Sequence, residues 1–124
     1  MLIFLQWLTA TFNDDSQHVL VAKTCNYLKF NMQNKLTLNG IAEKMGTNRN
    51  KLSESFKQVL GIGVFEYLRG ERLQKAKYLL SNTNERVHSI ANEVGYCECS
   101  YFSTAYRNKF GVSPAKDRLS FRGK

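Results

Sequence analysis

Residues 38–61 read LNGIAEKMGTNRNKLSESFKQVLG, and residues 87–111 repeat their apolar skeleton. At an offset of 49 positions the matching pairs are Leu38 with Val87, Ile41 with Ile90, Ala42 with Ala91, and Gly46 with Gly95. After one inserted residue the offset becomes 50, and the pairs are Phe56 with Tyr106, Lys57 with Arg107, Leu60 with Phe110, and Gly61 with Gly111. A skeleton that recurs in this way indicates one supersecondary unit built twice. Each copy has a short helix, a glycine-centred turn and a longer helix, which predicts a helix-turn-helix.

The composition favours a helical protein with a basic surface. The chain has 124 residues, of which 43% are hydrophobic, enough to bury the interior of one domain or of two very small ones that share a core. It has 8 glycines, 1 proline and no runs of β-branched residues, so little of it is suited to hairpins. We therefore predict an all-α fold. The net charge of +8 suits a polyanionic partner, although a soluble basic protein without such a partner would have the same composition.

No residue pattern points to an enzyme, a cofactor, a metal site or a membrane span. We find no combination of nucleophile, base and acid, and no phosphate-binding loop. Three cysteines, an odd number, in a chain without a secretory signal predict reduced thiols and a cytoplasmic protein. Cys97 and Cys99 follow His88, but no fourth ligand completes a closed zinc site. No apolar run approaches the ~20 residues that cross a bilayer.

The rest of the chain is organised around the two copies. The N-terminal segment, residues 1–15, is apolar as far as Phe12, and it fits the end of an upstream sensing or dimerisation domain, a dimerisation element, or an arm that packs on this domain. A domain at 16–122 follows. It contains the first helix-turn-helix at about 38–60, a linker helix at about 64–80 and the second helix-turn-helix at about 87–110.

Capping residues and apolar stripes predict where the helices begin and which faces they bury. Ser16 is expected to cap the first helix, Thr37 the second, and Ser113, followed by Pro114, the last. Gly46 is expected to end the second helix in a left-handed conformation. The first helix is expected to bury Val19, Ala22, Cys25 or Asn26, and Leu28. The linker helix is expected to bury Val64, Leu68, Leu73, Ala76, Leu79 and Leu80.

The second copy carries a specific motif. It reads Gly95-Tyr96-x-Glu98-x-Ser100-Tyr101-Phe102-x-x-x-Tyr106-Arg107-x-x-Phe110-Gly111-Val112-Ser113-Pro114. This stretch resembles the signature of the AraC/XylS family of bacterial transcription regulators. Upstream residues match the same pattern, namely Arg72-Leu73, Ala76, Leu79, Leu80 and Ile90-Ala91, so the resemblance covers about Val19 to Arg118. One position departs from it: the family usually has an aromatic residue just before Arg118, and Asp117 in that place leaves open how firmly the last helix packs.

The resemblance implies an all-α, seven-helix domain in which the long central helix joins two helix-turn-helix lobes. Each lobe would offer one helix to successive major-groove segments of double-stranded DNA, so that one chain reads two segments without dimerising. The implied function is that of a sequence-specific transcription regulator, most often an activator that works with RNA polymerase. A small-molecule effector is implied only if an upstream sensing domain exists. The alternative is a helical module that binds an acidic protein partner through its basic faces.

The resemblance also assigns functional positions. The base-reading face of the family matches Arg49, Asn50, Ser53 and Glu54 in the first lobe, and Cys99, Ser100 and Thr104 in the second, with Glu98 and Tyr101 beside them. Arginine suits guanine, asparagine suits adenine, and glutamate can accept a hydrogen bond from cytosine. Each residue taken singly also fits an ordinary solvated helix face. We expect Lys51, Lys57 and Arg107 to contact phosphate. The short side chains of the second lobe predict less direct base discrimination there and more reliance on DNA shape.

Overall fold

The computed structural model describes residues 15–122, and this range contains seven helices and no strand. The helices are α1 (Asp15–Phe30), α2 (Leu38–Lys44), α3 (Arg49–Leu60), α4 (Val64–Asn82), α5 (Val87–Glu93), α6 (Cys99–Phe110) and α7 (Pro114–Arg122). The predicted all-α, seven-helix fold is confirmed. The predicted apolar segment at 1–15 lies outside the described residues, apart from Asp15, where α1 begins.

The described residues form two compact units. The first contains α1 and residues 36–67, and the second contains residues 31–35 and 68–122. The helix α4 begins in the first unit and continues in the second. Its predicted apolar stripe is confirmed, because all six of the positions are buried: Val64, Leu68, Leu73, Ala76, Leu79 and Leu80.

The core of the first unit forms where α1 packs on α3. Leu52 and Phe56 of α3 are fully buried, and the Phe56 ring meets the Tyr67 ring edge to face with 5.8 Å between centroids. The predicted face of α1 is wrong except at Leu28. The buried residues of α1 are Val21, Thr24 and Leu28, whereas Val19, Ala22 and Asn26 are exposed and Cys25 is half-buried.

The apolar pattern of α1 does not predict that the polar residue Thr24 is buried, and its hydroxyl explains how this burial is tolerated. It donates a hydrogen bond of 2.7 Å to the Leu20 carbonyl, so a polar residue can be fully buried without losing a partner. The predicted cap at Ser16 is also wrong, because α1 begins one residue earlier, at Asp15.

The two turns have the same backbone hydrogen bonds. Gly46 has φ 76° and Gly95 has φ 107°, a region that L side chains rarely adopt. The residue after each glycine donates its N–H to a carbonyl in the preceding helix. Thr47 N donates to Ala42 O at 2.9 Å, and Tyr96 N donates to Ala91 O at 2.8 Å. The left-handed conformation predicted for Gly46 is confirmed.

In the second unit Arg72 of α4 contacts both residues 31–35 and the turn before α6. Its guanidinium donates to the Met32 carbonyl at 2.9 and 3.1 Å and to the Asn34 carbonyl at 3.3 Å, which ties residues 31–35 to α4. The same guanidinium lies 5.9 Å from the centroid of the Tyr96 ring. Burial lowers the pKa of Arg72 from its ordinary value, while interactions with Tyr96 and Cys97 act in the opposite direction.

Asp117 anchors α7 in this unit. It is buried, accepts a hydrogen bond of 2.5 Å from the Tyr106 hydroxyl, and lies 4.0 Å from Lys77 Nζ. Arg118 adds hydrogen bonds to the carbonyls of Leu80 and Thr83 at 3.2 and 3.3 Å. Asp117, which departs from the family pattern, therefore forms a buried hydrogen bond with Tyr106, and this bond and those of Arg118 hold α7 in place. The predicted cap at Ser113 is confirmed, since its Oγ accepts from Lys116 N at 3.2 Å.

Substituting alanine at the two turn glycines should have unequal effects. Gly46→Ala should lower the free energy of unfolding by about 1 to 2 kcal/mol, which is the cost of a left-handed conformation for alanine. No steric cost is added, because a Cβ at this position meets open space. Gly95→Ala should cost about 1 to 3 kcal/mol more, because its Cβ would overlap the Met32 carbonyl oxygen and crowd Arg72 Nε at 2.7 Å. Urea unfolding of both variants measures this difference, and equal losses would contradict the close approach at Gly95.

The Tyr106–Asp117 hydrogen bond should make stability depend on alkaline pH. Burial, and then the hydrogen bond to Asp117, raise the pKa of Tyr106 well above its ordinary value. The unfolded chain therefore loses this proton first, and the free energy of unfolding should fall as pH rises above about 10. Tyr106→Phe should cost about 1 to 3 kcal/mol at pH 8 and show a smaller fall above pH 10.

The control for this experiment is Tyr78→Phe, which removes the hydroxyl of a tyrosine that is 63% exposed. It should reproduce the parent protein in urea unfolding at each pH from 8 to 11. A Tyr106→Phe variant that lost stability above pH 10 as steeply as the parent would argue against this assignment.

Candidate nucleic-acid interface

The helix α3 presents a polar strip opposite its buried face. Its first turn is capped by Asn48, whose Oδ1 accepts from Lys51 N at 2.9 Å, and Leu52, Ser55 and Phe56 are its buried residues. At ~3.6 residues per turn, the strip formed by Arg49, Asn50, Ser53, Glu54 and Lys57 occupies one continuous surface away from those three. Ser53 is half-buried and the other four are exposed. We call these five residues the α3 strip.

Lys51 does not belong to the α3 strip. It is exposed, but it lies on the flank of α3 that faces α1, where it lines a cleft with Lys23. The four predicted base-reading residues of the first unit thus share one surface with Lys57, whereas Lys51, the other predicted phosphate contact of this unit, lies apart from them.

The helix α6 has the equivalent surface in the second unit. Phe102 and Tyr106 are fully buried, and the predicted residues Ser100, Thr104 and Arg107 are exposed. Cys99 is half-buried at the first position of the helix. We call Cys99, Ser100, Thr104 and Arg107 the α6 strip.

Besides the α6 strip, α6 exposes Tyr101, which the resemblance places beside the reading positions, and Asn108, which the sequence analysis did not name. Tyr101 is 67% exposed, and Asn108 is exposed as well. At an offset of 50 Tyr101 corresponds to Lys51, which lies beside the α3 strip, and Asn108 corresponds to Gln58.

The helices of the two units begin differently. Thr37 and Asn48 cap α2 and α3 through their side chains, with hydrogen bonds of 3.0 Å to Gly40 N and 2.9 Å to Lys51 N. At the corresponding positions before α5 and α6, Arg86 and Glu98 form no side-chain cap hydrogen bond. The first turn of α6 therefore lacks the side-chain support that α3 has.

Other kinds of site find no support in the described part of the chain. Within residues 15–122, no group of three or more His, Cys, Asp or Glu side chains could hold a metal ion. Cys25, Cys97 and Cys99 are free thiols. Of the described helices, none is both long and apolar enough to span a bilayer.

Giving α6 a side-chain cap should stabilise the protein. Glu98 has φ −124° and ψ 132°, the extended conformation of a capping residue. We expect Glu98→Asn to raise the free energy of unfolding by about 1 kcal/mol and Asn48→Ala to lower it by a similar amount. Glu98→Gln is the control, because it removes the same charge without adding a short capping side chain. Urea unfolding checks all three, and equal effects of asparagine and glutamine at 98 would show that charge, not capping, is responsible.

Comparison with known proteins identifies the family. A family model described as a helix-turn-helix domain matches residues 41–120. The HTH-type transcriptional regulator ArgR of Pseudomonas aeruginosa is 32% identical over 108 residues, which are 87% of this chain and 33% of that protein. The chain spans about a third of the length of the curated relatives it matches.

Solved structures agree with this match. The C-terminal domain of AraT, a response regulator from Geobacillus stearothermophilus, has a TM-score of 0.78 at 36% identity, over 82% of this chain and 84% of that one. A transcriptional regulator from Chromobacterium violaceum, described as an AraC-type DNA-binding domain-containing protein, has a TM-score of 0.79 at 27% identity, over 86% of this chain and 96% of that one. The chain therefore belongs to the AraC/XylS family of helix-turn-helix transcription regulators.

Proposed function

We propose that this chain is the sequence-specific, double-stranded DNA-binding part of a transcription regulator, and that α3 and α6 enter the major groove. The observation that carries the proposal is the pair of polar strips on these two helices, exposed except for the half-buried Ser53 and Cys99, each opposite a buried apolar face. The net charge of +8 favours a polyanion, and the relatives are named as transcriptional regulators.

The α3 strip supplies most of the base recognition in this proposal. Arg49 can donate two hydrogen bonds to guanine, Asn50 can pair with adenine, and Glu54 can accept from cytosine N4. Lys57 lies at the far end of the strip, where its long side chain suits a phosphate.

The α6 strip is chemically different. Ser100 and Thr104 are short, and they suit contacts with thymine methyl groups and with a groove of defined width. Arg107 supplies the phosphate contact. Because the two strips differ, the preferred DNA site is asymmetric. We further infer that the regulator activates transcription together with RNA polymerase, and that an effector acts only through a sensing domain elsewhere in the protein.

Binding of random-sequence duplex DNA over a series of salt concentrations tests the proposal. A protein that contacts 6 to 10 phosphates loses about 10³ to 10⁵ in affinity between 50 and 200 mM salt. An acidic protein partner bound by this chain, with no salt-dependent duplex binding, would support the alternative of a protein-interaction module. Sites selected from a random duplex library would then define the preferred sequence.

Single substitutions should separate base reading from phosphate contact. Asn50→Ala should lose about 1 to 3 kcal/mol at the selected site and relax one base position, with non-specific binding unchanged. Arg107→Gln should weaken binding to every duplex and lower the salt slope by about one unit. Fluorescence anisotropy with selected and random duplexes measures both. A uniform loss for Asn50→Ala across all sequences would move Asn50 to the phosphate set.

A further inference from the structure

A cleft of about 210 Å³ in the first unit is not part of either strip. From α1 it is lined by Ser16, Val19, Leu20 and Lys23, which share one side of the helix because Lys23 lies three residues after Leu20 and four after Val19. On the opposite side it is lined by Met45 and Thr47 of the turn and by Lys51 of α3. The cleft thus lies beside the start of α3, on the flank next to the base-reading surface.

The chemistry of the cleft suits an anion that is attached to an apolar group. Lys23 and Lys51 are exposed, and neither forms an ion pair with a carboxylate among residues 16–122. Val19, which is 53% exposed, and Met45 provide apolar surface in the same cleft. A volume of 210 Å³ is below the roughly 300 to 1,000 Å³ of pockets that hold small-molecule ligands. An effector molecule is therefore a poor fit for this cleft.

If α3 lies in the major groove, the cleft lies beside one available anion, the phosphate of the DNA backbone. A major groove about 12 Å wide is filled by one helix about 10 to 12 Å across, so the flanks of a recognition helix face the sugar-phosphate strands. We propose that this cleft binds one sugar-phosphate of the DNA backbone, with Lys23 of α1 as a phosphate contact beside Lys51 and with Val19 against the deoxyribose. The proposal rests on the proposed function and adds a helix outside the helix-turn-helix to the DNA-binding surface.

Lys23→Gln and Lys29→Gln form a matched pair for the test. Both lysines are exposed residues of α1, and both substitutions remove one charge. Lys29 lies six residues after Lys23, which turns it about 120° away around the helix. The probe is a 30-base-pair random duplex, with affinity measured by fluorescence anisotropy across a salt series.

Lys23→Gln should lower the magnitude of the salt slope by about 0.9 and weaken binding to every sequence, as expected for one lost phosphate contact. Lys29→Gln should keep the parent slope, and Lys23→Arg, which retains the charge, should keep it as well. Urea unfolding should show that all three variants are as stable as the parent, because these side chains are exposed.

Equal slopes for Lys23→Gln and Lys29→Gln would overturn the proposal. A change of preferred base at one position in Lys23→Gln would also overturn it, because a backbone contact carries no base preference. Failure of the proposed function is a separate result, in which the parent protein itself shows no salt-dependent binding to duplex DNA.

Discussion

The left-handed glycine at the centre of each turn is the constraint on which the rest of the structure depends. Gly46 and Gly95 let the next residue donate its N–H to the preceding helix, and these bonds close the turns that precede α3 and α6. Once Leu52 and Phe102 are directed into the core, the helical period decides which side chains face the solvent. The same constraint therefore sets the packing of each unit and the position of each polar strip.

The two copies share this backbone but bury different polar groups. Tyr106 in the second copy is at the position equivalent to Phe56 in the first. Its hydroxyl donates a hydrogen bond to Asp117 on α7. The first copy has Ser55 at the position of Ala105 in the second. The Oγ of Ser55 is buried without a hydrogen-bond partner among the described residues. An unsatisfied hydroxyl of this kind costs about 1 to 3 kcal/mol. The buried Ser55 hydroxyl therefore destabilises the core of the first unit, whereas the buried Tyr106 hydroxyl holds α7 against the second unit.

Most of the features that could be predicted depend on local sequence, whereas features that depend on tertiary partners could not be predicted. Thr37 as a cap and Gly46 as a helix end follow from neighbouring residues alone, and both are confirmed. The face of α1 was predicted wrongly because its packing on α3 decides which face is buried, and the Leu20 carbonyl in the same helix satisfies the hydroxyl of the buried Thr24. The role of Asp117 could not be predicted either, because its partner Tyr106 lies on another helix.

The candidate site shows the same division. The α3 strip followed from the repeat and the helical period, and the family resemblance gave its residues roles that stay predictions. The separation of Lys51 from that strip, and its place beside Lys23, depend on how α1 packs against α3. This matters for recognition because phosphate contacts set the register of a helix in the groove without reading any base. A pair of lysines beside the start of α3 would therefore decide which base pairs Arg49 and Asn50 can reach, although neither lysine distinguishes one sequence from another.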